Sequence, residues 1–292
     1  MLKLTSPICK PSSATKKAKP KAVPPPPIYD KSFITHTFSE CVENHAGMKM
    51  HGVKRPRGFT EDYLNTCMIR HGGRLLDMRF EDKRAAVWKI PNGVDRLLGP
   101  GAADKLHAES WSQQFDHQFL NDKKKEVQYK WGRYNNCYAD ESSEPDYANG
   151  KGRLIAFDDA PMMAALRAKL PELLGDEAKD LYAESNLYPN VDSAKVGIGF
   201  HGDSERSIVV GVRIGKAQLP LRFQWYKNSD AISDEHVLEL AHGDMYVMSW
   251  EATGQNWLKT KTVPVLRHGV GRKAVPCPIG SKQEKKRNKS RN

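Results

Sequence analysis

Three residues of the chain have the types and spacing of a metal centre. His201 and Asp203 stand two positions apart, and His268 follows the first histidine by sixty-seven positions. Two imidazoles and one carboxylate form the facial triad that holds iron(II) and leaves coordination positions open for a co-substrate and dioxygen. The pattern predicts an oxygenase centre. Taken alone, a His-Gly-Asp tripeptide also fits a surface histidine beside an acid that caps a turn.

The segments that must position these residues alternate between polar and apolar residues with a period of two, which is typical of β-strands. We predict short strands over 196–200, 207–214, 219–226, 237–240, 245–249 and 263–267. Residues i and i+2 of a strand project to the same face, so His201 and Asp203 should project together from the end of the first of these strands. Many short strands predict a closed or sandwiched antiparallel sheet, which returns a late strand, and with it His268, beside an early one.

Helix and strand signals are mixed in the part of the chain that precedes these strands. N-cap residues, acids in a first turn and aromatic residues at helical spacing are the signals used. They predict helices from Thr60 to about Gly72, across 102–120 and from Asp159 to Leu170, and a strand over 85–90. The role of the region 31–150 stays open, because it could extend the sheet, cover the site or bind a partner.

Basic residues concentrate at the two ends of the chain, which carries a net charge of +11. Residues 1–30 are rich in lysine and proline and predict a disordered arm, and 281–292 predict a second disordered basic tail. Such tails bind polyanions by counterion release, serve as nuclear-import signals or solubilise a protein. They favour nucleic acid as a partner and are compatible with a nuclear location.

Cysteine usage and hydropathy restrict the class of protein. The five cysteines are scattered and include no Cys-x-x-Cys pair, which indicates a reducing intracellular compartment. No apolar run approaches the roughly 20 residues that span a bilayer, and the N-terminus lacks the apolar stretch of a secretory signal, so we expect no membrane association. The sequence has neither a Gly-x-Ser-x-Gly elbow nor a phosphate-binding loop, which disfavours a hydrolase.

Motifs on either side of the triad support a metal centre more strongly than the His-Gly-Asp tripeptide does alone. An Asn-x-Tyr motif (186–188) precedes it, a Gly-Asp turn (243–244) lies between the two histidines, and a Leu-Arg-His motif (266–268) ends the series of strands. In this order the motifs resemble the AlkB-like branch of the 2-oxoglutarate- and iron(II)-dependent oxygenases, over about 150–275. The phrase at 199–206 is similar to that of homologues carried by large DNA viruses and microbes.

The resemblance implies both a fold and a set of site residues. The fold is α+β, with a double-stranded β-helix (jelly-roll) core over 151–280, flanking helices, and the region 31–150 packed on the core or extending it. Fe(II) is the implied metal, with 2-oxoglutarate and dioxygen as co-substrates. The implied site residues are His201, Asp203 and His268 for the metal, and Asn186 and Tyr188 for 2-oxoglutarate.

The cation that should bind the distal carboxylate of 2-oxoglutarate departs from the family pattern. AlkB-like enzymes usually place an arginine well after the second histidine, whereas Arg272 and Lys273 follow His268 almost at once. A tight glycine turn could return either cation to the site, or both could begin the basic tail. Arg213 and Arg222, on predicted strands, are rivals because buried arginine is rarely without a partner.

Two other groups of residues compete for a functional role. His242 precedes the Gly-Asp turn and could be taken for the third ligand, although the second histidine of such triads normally follows that turn. Phe223 and Trp225 share one face of a predicted strand. They could stack on a nucleobase, but we expect them in the core.

The resemblance implies that the protein couples the breakdown of 2-oxoglutarate to hydroxylation of a C–H bond. Hydroxylation of an N-methyl group leads to loss of formaldehyde, which amounts to demethylation. With basic tails, we expect oxidative demethylation or dealkylation of DNA or RNA bases, as in DNA repair, with a duplex base flipped out to reach the metal. A protein side-chain hydroxylase of the same cofactor class and a non-catalytic nucleic-acid-binding jelly-roll are the alternatives.

Overall fold

The computed structural model describes residues 22–43, 47–256, 259 and 261–271. Residues 1–21 of the predicted basic arm and the whole of the predicted basic tail lie outside these residues. In the described part, Cys41, Cys67 and Cys137 form no disulfide, and no helix is long and apolar enough to cross a membrane. The α-helices are α1 (Glu61–Arg70), α2 (Gly93–Leu98), α3 (Ala102–Ser112) and α4 (Pro161–Leu174).

Strands account for most of the regular structure in the same ranges. Those of the N-terminal half are β1 (Phe33–Ser39), β2 (Cys41–Val42), β3 (His51–Gly52), β4 (Arg74–Asp77), β5 (Ala86–Ile90), β6 (Gln118–Asn121), β7 (Glu126–Tyr129) and β8 (Tyr134–Ala139). Those of the C-terminal half are β9 (Leu154–Ala156), β10 (Tyr182–Tyr188), β11 (Ile198–His201), β12 (Val210–Gly215), β13 (Leu221–Lys227), β14 (Asp230–Ala231), β15 (His236–Leu238), β16 (Met245–Met248) and β17 (Val265–Val270).

These strands form two principal sheets. The larger sheet has the order β4-β5-β16-β12-β1-β10-β8-β9 and is antiparallel except for the pair β8 and β9. The smaller sheet has the order β11-β17-β13-β14, and β15 also pairs with β13. The pairs β2/β3 and β6/β7 form separate ribbons. The chain therefore has a predominantly β fold with few helices.

Strand β1, from the N-terminal region, occupies the middle of the larger sheet. It pairs in antiparallel fashion with β10 on one side and with β12 on the other. Thr35 of β1 is thus flanked by Asn186 of β10 and by Arg213 of β12. The region 31–150 therefore extends the sheet, which is one of the roles that the sequence left open.

The side chains of β1 alternate between two apolar cores. Ile34 and Phe38 pack with helices α1, α3 and α4 on the outer face of the larger sheet. Phe33 belongs to a second core, which lies between the inner faces of the two sheets. Burying one such side chain contributes roughly 1.5–3 kcal/mol. Because both faces of the larger sheet are covered, every residue of β12 is buried.

Several elements form where the sequence predicts them. Thr60 caps α1, because its hydroxyl oxygen accepts a hydrogen bond from the Tyr63 backbone N–H at 3.2 Å. The strand predicted over 85–90 is β5. The strands predicted between 196 and 267 correspond, within a few residues at each end, to β11, β12, β13, β15, β16 and β17.

The helix predicted across 102–120 was wrong in its second half. Helix α3 ends at Ser112, and Phe119 lies in strand β6 instead. Strand β6 forms a ribbon with β7, so backbone pairing with a later segment decides the conformation there. The helical spacing of the aromatic residues beyond Ser112 carried no information about local structure.

The predicted cap of α4 was also wrong. The helix begins after Ala160, whose side chain makes no capping hydrogen bond, and Asp159 belongs to the preceding turn. The Glu109 carboxylate of α3 accepts hydrogen bonds from the backbone N–H groups of Met162 and Met163, at 2.7 and 3.0 Å. A neighbouring helix therefore satisfies the free N–H groups that a local side chain usually satisfies.

Candidate metal centre

Two adjacent strands of the smaller sheet bring the predicted histidines together. His201 is the last residue of β11 and is paired directly with His268 of β17. The centroids of the two imidazole rings are 4.5 Å apart. Strand β17 continues to Val270, so His268 lies inside a strand rather than at its end. Antiparallel pairing thus makes neighbours of residues that are far apart in sequence.

Asp203 lies just beyond β11, where the chain has left the sheet. Its backbone N–H donates a hydrogen bond to the Thr253 carbonyl at 2.8 Å. One carboxylate oxygen lies 3.7 Å from His201 Nε2, and the other lies 3.6 Å from His268 Nε2. The carboxylate therefore faces both imidazoles, although the residue is not itself in a strand.

A backbone hydrogen bond orients the His201 ring. The Nδ1 atom lies 2.9 Å from the Gly199 carbonyl oxygen. A carbonyl oxygen only accepts hydrogen bonds, so Nδ1 carries the proton and Nε2 presents its lone pair on the side of Asp203. A carbonyl that holds the far nitrogen of an imidazole is the usual support of a histidine that ligates a metal.

Burial keeps both imidazoles neutral near neutral pH. Removal from water, with a smaller contribution from His268, lowers the pKa of His201 to about 4 against the opposing effect of Asp203. Removal from water, followed by the nearby Arg206 guanidinium, lowers the pKa of His268 to about 4. Neutral imidazole is the form that binds metal ions, so neither histidine has to lose a proton first.

The geometry of the three side chains fits a single cation. One ligand atom from each residue can be chosen so that all lie within 4.8 Å of one another. Ligand atoms that are each about 2.1 Å from a common ion are roughly 3 to 4 Å apart. The two carboxylate–imidazole distances lie in this range. Two neutral nitrogens and one carboxylate suit a divalent first-row transition metal.

A cavity lies against the triad, between the inner faces of the two sheets. We call its two sides the polar wall, on the larger sheet, and the metal wall, on the smaller sheet. The polar wall includes Thr35, Thr37, Glu184, Asn186 and Tyr188; the metal wall includes His201 and His268 together with the apolar residues Ile198, Leu221 and Val270. The two residues predicted to contact 2-oxoglutarate, in the Asn-x-Tyr motif, therefore face the same cavity as the metal ligands.

Asn186 is held by a residue that the sequence analysis missed. Arg133 Nε donates a hydrogen bond to Asn186 Oδ1 at 2.6 Å, and Arg133 also lines the cavity. This arginine directly precedes β8, which pairs with β10. Its position in the site is a product of that long-range pairing, and no local motif marks it.

A buried ion pair that the sequence analysis also missed lies beside Asp203. Arg206 Nη2 donates to Glu184 Oε2 at 2.8 Å, and only 3% and 1% of these side chains are exposed. Burial lowers the pKa of Arg206, but Glu184, Asp203 and Glu205 raise it by more, so the guanidinium stays charged. Because no strand was predicted over 182–188, no signal marked Glu184 as an inward-facing residue of β10.

The cations considered as anchors for 2-oxoglutarate have different environments. Arg272 and Lys273 lie outside the described residues. Arg222 forms an ion pair with Glu235 at 3.0 Å. Arg213 is 1% exposed and lies on the inner face of the larger sheet, next to Thr35.

Among the competing candidates, Phe223 pairs directly with His268, with the two ring centroids 6.0 Å apart, whereas His242 is held by residues outside the triad. His242 Nδ1 accepts a hydrogen bond from the Gly215 backbone N–H at 3.0 Å, and its Nε2 lies 3.4 Å from Asp104. Phe223 and Trp225 are buried in the core between the sheets, as predicted. These residues therefore have structural partners of their own.

Sequence comparison relates the chain to a viral protein. No protein-family model matches the sequence. The chain is 35% identical over 255 residues to an uncharacterized protein of Acanthamoeba polyphaga mimivirus. The match covers 82% of this chain and 96% of the viral protein. With this identity over nearly the whole viral sequence, the chain belongs to the same protein family as that uncharacterized mimivirus protein.

Proposed function

We propose that the protein is an Fe(II)- and 2-oxoglutarate-dependent dioxygenase of the AlkB-like type. The observation that carries the proposal is the convergence of His201, Asp203 and His268 at the wall of a cavity. Both imidazoles are neutral, and His201 is held in the tautomer that leaves Nε2 free. This donor set is that of non-haem iron(II) oxygenases, in which half of an octahedral sphere is left to the reactants.

The order of the strands supports a double-stranded β-helix around this cavity. From β10 onwards the chain alternates between the sheets, because β10, β12 and β16 join the larger sheet whereas β11, β13 and β17 join the smaller one. Winding a chain between two facing sheets produces this alternation. In the proposed arrangement, β1 fills the gap between β10 and β12 and completes the polar wall.

The residues of the cavity suit a small keto acid. A bound iron(II) would supply the oxidation of a C–H bond with 2-oxoglutarate and dioxygen, as the AlkB-like resemblance implies. The side chains of Asn186 and Tyr188 offer an amide and a hydroxyl group to a carboxylate. Ile198, Leu221 and Val270 offer apolar contacts to the methylene groups of the acid and exclude water from them.

We propose an alkylated or methylated nucleobase as the substrate. The net charge of +11 favours a polyanionic partner. Trp131 is 38% exposed, and Lys195 Nζ lies 4.7 Å from the centroid of its ring. Trp131 stands two residues before Arg133, which lines the cavity. An exposed indole beside a lysine can stack on an unpaired base while the ammonium group contacts a phosphate.

The metal and the co-substrate are tested together by anaerobic addition of Fe(II) and 2-oxoglutarate. We expect a visible charge-transfer band from the complex in the wild-type protein and no band in His201→Ala. The matched control is His242→Ala, which removes a histidine outside the triad and should retain the band. A wild-type protein that binds no Fe(II), or gives no band, would overturn the proposal.

The substrate class is tested by succinate release. We expect methylated single-stranded oligonucleotides to stimulate release above the level seen without substrate, and Trp131→Ala to reduce this stimulation. Stimulation by peptides instead of oligonucleotides would favour a protein hydroxylase and contradict the nucleobase assignment. The substrate-free rate in Trp131→Ala is the control, because it should equal that of the wild type.

A further inference from the structure

Lys130 is a buried lysine that stands beside a buried amide. Only 5% of this residue is exposed, and no other lysine that the structure describes is buried. Its Nζ atom donates a hydrogen bond to Oδ1 of Asn135, which is itself fully buried. Lysine normally keeps its ammonium group in water. The burial of Lys130 therefore indicates a role for its amine inside the protein.

The backbone holds the amine and the amide together. Lys130 directly follows β7, and its backbone N–H donates a hydrogen bond to the His117 carbonyl at 2.8 Å. Asn135 belongs to β8, and its carbonyl accepts a hydrogen bond from the Asp116 backbone N–H at 2.7 Å. Because two successive residues of one segment bind Lys130 and Asn135, the contact between their side chains is fixed by the fold.

The Asn135 amide is satisfied on its oxygen only. Its Nδ2 atom is buried and has no hydrogen-bond partner among the described residues. Such a donor is rare, because it costs the full desolvation of the group. Turning the amide over would place its N–H groups against the Lys130 amine, donor against donor. A structural hydrogen bond or ion pair of Lys130 therefore leaves the amide nitrogen unexplained.

Two buried carboxylates adjoin the same amine. Glu43 and Asp116 are 3% and 1% exposed, and the charge of each raises the lysine pKa. A side chain on Gly152 would meet both Glu43 Oε2 and Asp116 Oδ2, so the two carboxylates lie close to each other. The oxygens of Asp116 accept hydrogen bonds from the Tyr147 hydroxyl and the Arg153 backbone N–H, both at 2.7 Å. Glu43 is therefore the better placed of the two to exchange a proton.

Glu43 occupies its position in an uncommon backbone conformation. Its φ angle is +68°, in the left-handed region that favours glycine. A residue with a side chain adopts this conformation at a cost, and such residues concentrate at functional sites. The strain at Glu43 is consistent with a carboxylate that the fold retains for its chemistry.

Burial makes the Lys130 amine a better nucleophile. Removal from water is the largest effect on its pKa and lowers it, whereas the charges of Glu43 and Asp116 oppose this effect. A lower pKa increases the fraction of neutral amine, which is the form that attacks a carbonyl carbon.

We infer that Lys130 and Asn135 form an intramolecular isopeptide bond, with Glu43 as the proton carrier. The Lys130 amine attacks Asn135 Cγ, the carbon that bears the oxygen it already contacts. Glu43 takes a proton from the attacking nitrogen and delivers it to Nδ2, which leaves as ammonia. One C–N bond forms and one breaks, without an oxidant, a metal or a co-substrate. The inference is therefore independent of the proposed function.

The isopeptide bond closes the turn that carries Trp131 and Arg133. Arg133 lines the cavity and holds Asn186, and Trp131 is the exposed indole two residues before it. A cross-link between the ends of so short a loop restricts the unfolded chain only a little. Its main effect is to fix the turn, and with it the two side chains at the edge of the cavity.

The test is a tryptic digest of the denatured full-length wild-type protein, analysed by mass spectrometry. Trypsin cleaves after Arg133, which lies between the two reacting residues. We expect residues 126–133 and 134–151 to remain joined, with a mass lower than that of the two peptides by one ammonia. Separate peptides would overturn the inference. Loss of ammonia without joining would overturn it too, because it indicates a cyclic imide at an asparagine.

Three variants and one control assign the reacting groups. Lys130→Arg and Asn135→Ala should each give separate peptides. Glu43→Gln should do so in protein that circular dichroism shows to be folded. Lys125→Arg, which changes an exposed lysine of the same ribbon, should give the joined peptides.

A folded Glu43→Gln protein joined as fully as the wild type would overturn the role of Glu43. Joined peptides in Lys130→Arg or Asn135→Ala would overturn the assignment of the bond. If a variant does not fold, the wild-type digest still decides whether the bond exists.

Discussion

The two walls of the cavity differ in how they handle charge. The metal wall holds two neutral imidazoles, and Asp203 brings a single carboxylate to them. The polar wall carries Glu184, paired with Arg206, and lies beside Arg213. A cation can therefore be bound on one side while anions are oriented from the other. The two imidazoles come from the smaller sheet, whereas Glu184 and Arg213 stand on the larger one, so the candidate ligands and the charges around them can be altered separately.

The largest effect should come from the metal wall. We expect Asp203→Ala to abolish saturable binding of Co(II), a spectroscopic substitute for iron(II), because the variant loses the carboxylate of the triad. The measurement is the visible absorption of Co(II) during titration. Asp104→Ala is the control, since this acid contacts His242 and lies outside the triad. Tight binding of Co(II) by Asp203→Ala would mean that the polar wall supplies the negative charge for the metal, and it would contradict the division of roles between the two walls.

The next effect should come from the polar wall and should appear in stability. Glu184→Gln removes the nearest and most buried counter-ion of Arg206 and leaves Glu205 at 3.5 Å, so we expect a loss of about 3 kcal/mol in the free energy of unfolding. Urea denaturation measures it. Glu172→Gln, which breaks the exposed pair with Lys169, should cost less than about 1 kcal/mol. A loss of similar size in both variants would contradict the structural role of the buried pair.

A smaller effect is expected from the outer face of the larger sheet, away from both walls. His36 is fully buried between Ser185 and Ser110, at 2.6 and 3.1 Å. Burial, followed by His107, lowers its pKa from 6.5 to about 3. The unfolded chain therefore takes up the proton first as the pH falls. The stability that neutral His36 contributes is complete above pH 6.5 and is lost towards pH 3.

This linkage predicts a difference between wild type and His36→Asn. Between about pH 7.5 and pH 5, the wild type should lose about 2 kcal/mol more unfolding free energy than the variant, measured by urea denaturation. The exposed His51→Gln should keep the wild-type dependence. Metal binding at neutral pH should not change in either variant. An equal pH dependence in wild type and His36→Asn would mean that His36 is not held neutral.

The sequence predicted the metal wall far better than the polar wall, for a physical reason. A strand period of two and the spacing of His201, Asp203 and His268 are local signals, and one antiparallel pair of strands is enough to unite them. Thr35 lines the cavity because β1 pairs with β10. Arg133 lines it because this residue directly precedes β8, which also pairs with β10. Such pairing depends on the packing of the whole chain, and no local pattern of residues announces it.

The central position of β1 also determines when the larger sheet can form during synthesis of the chain. Its residues leave the ribosome before those of its two neighbours, β10 and β12, which lie about 150 to 180 residues further along the chain. Until both have been made, the edges of β1 present unpaired backbone groups, which invite association with other chains. Contacts of this sequence separation also slow folding. The cavity therefore closes late, when the first strand of the larger sheet finally receives its partners.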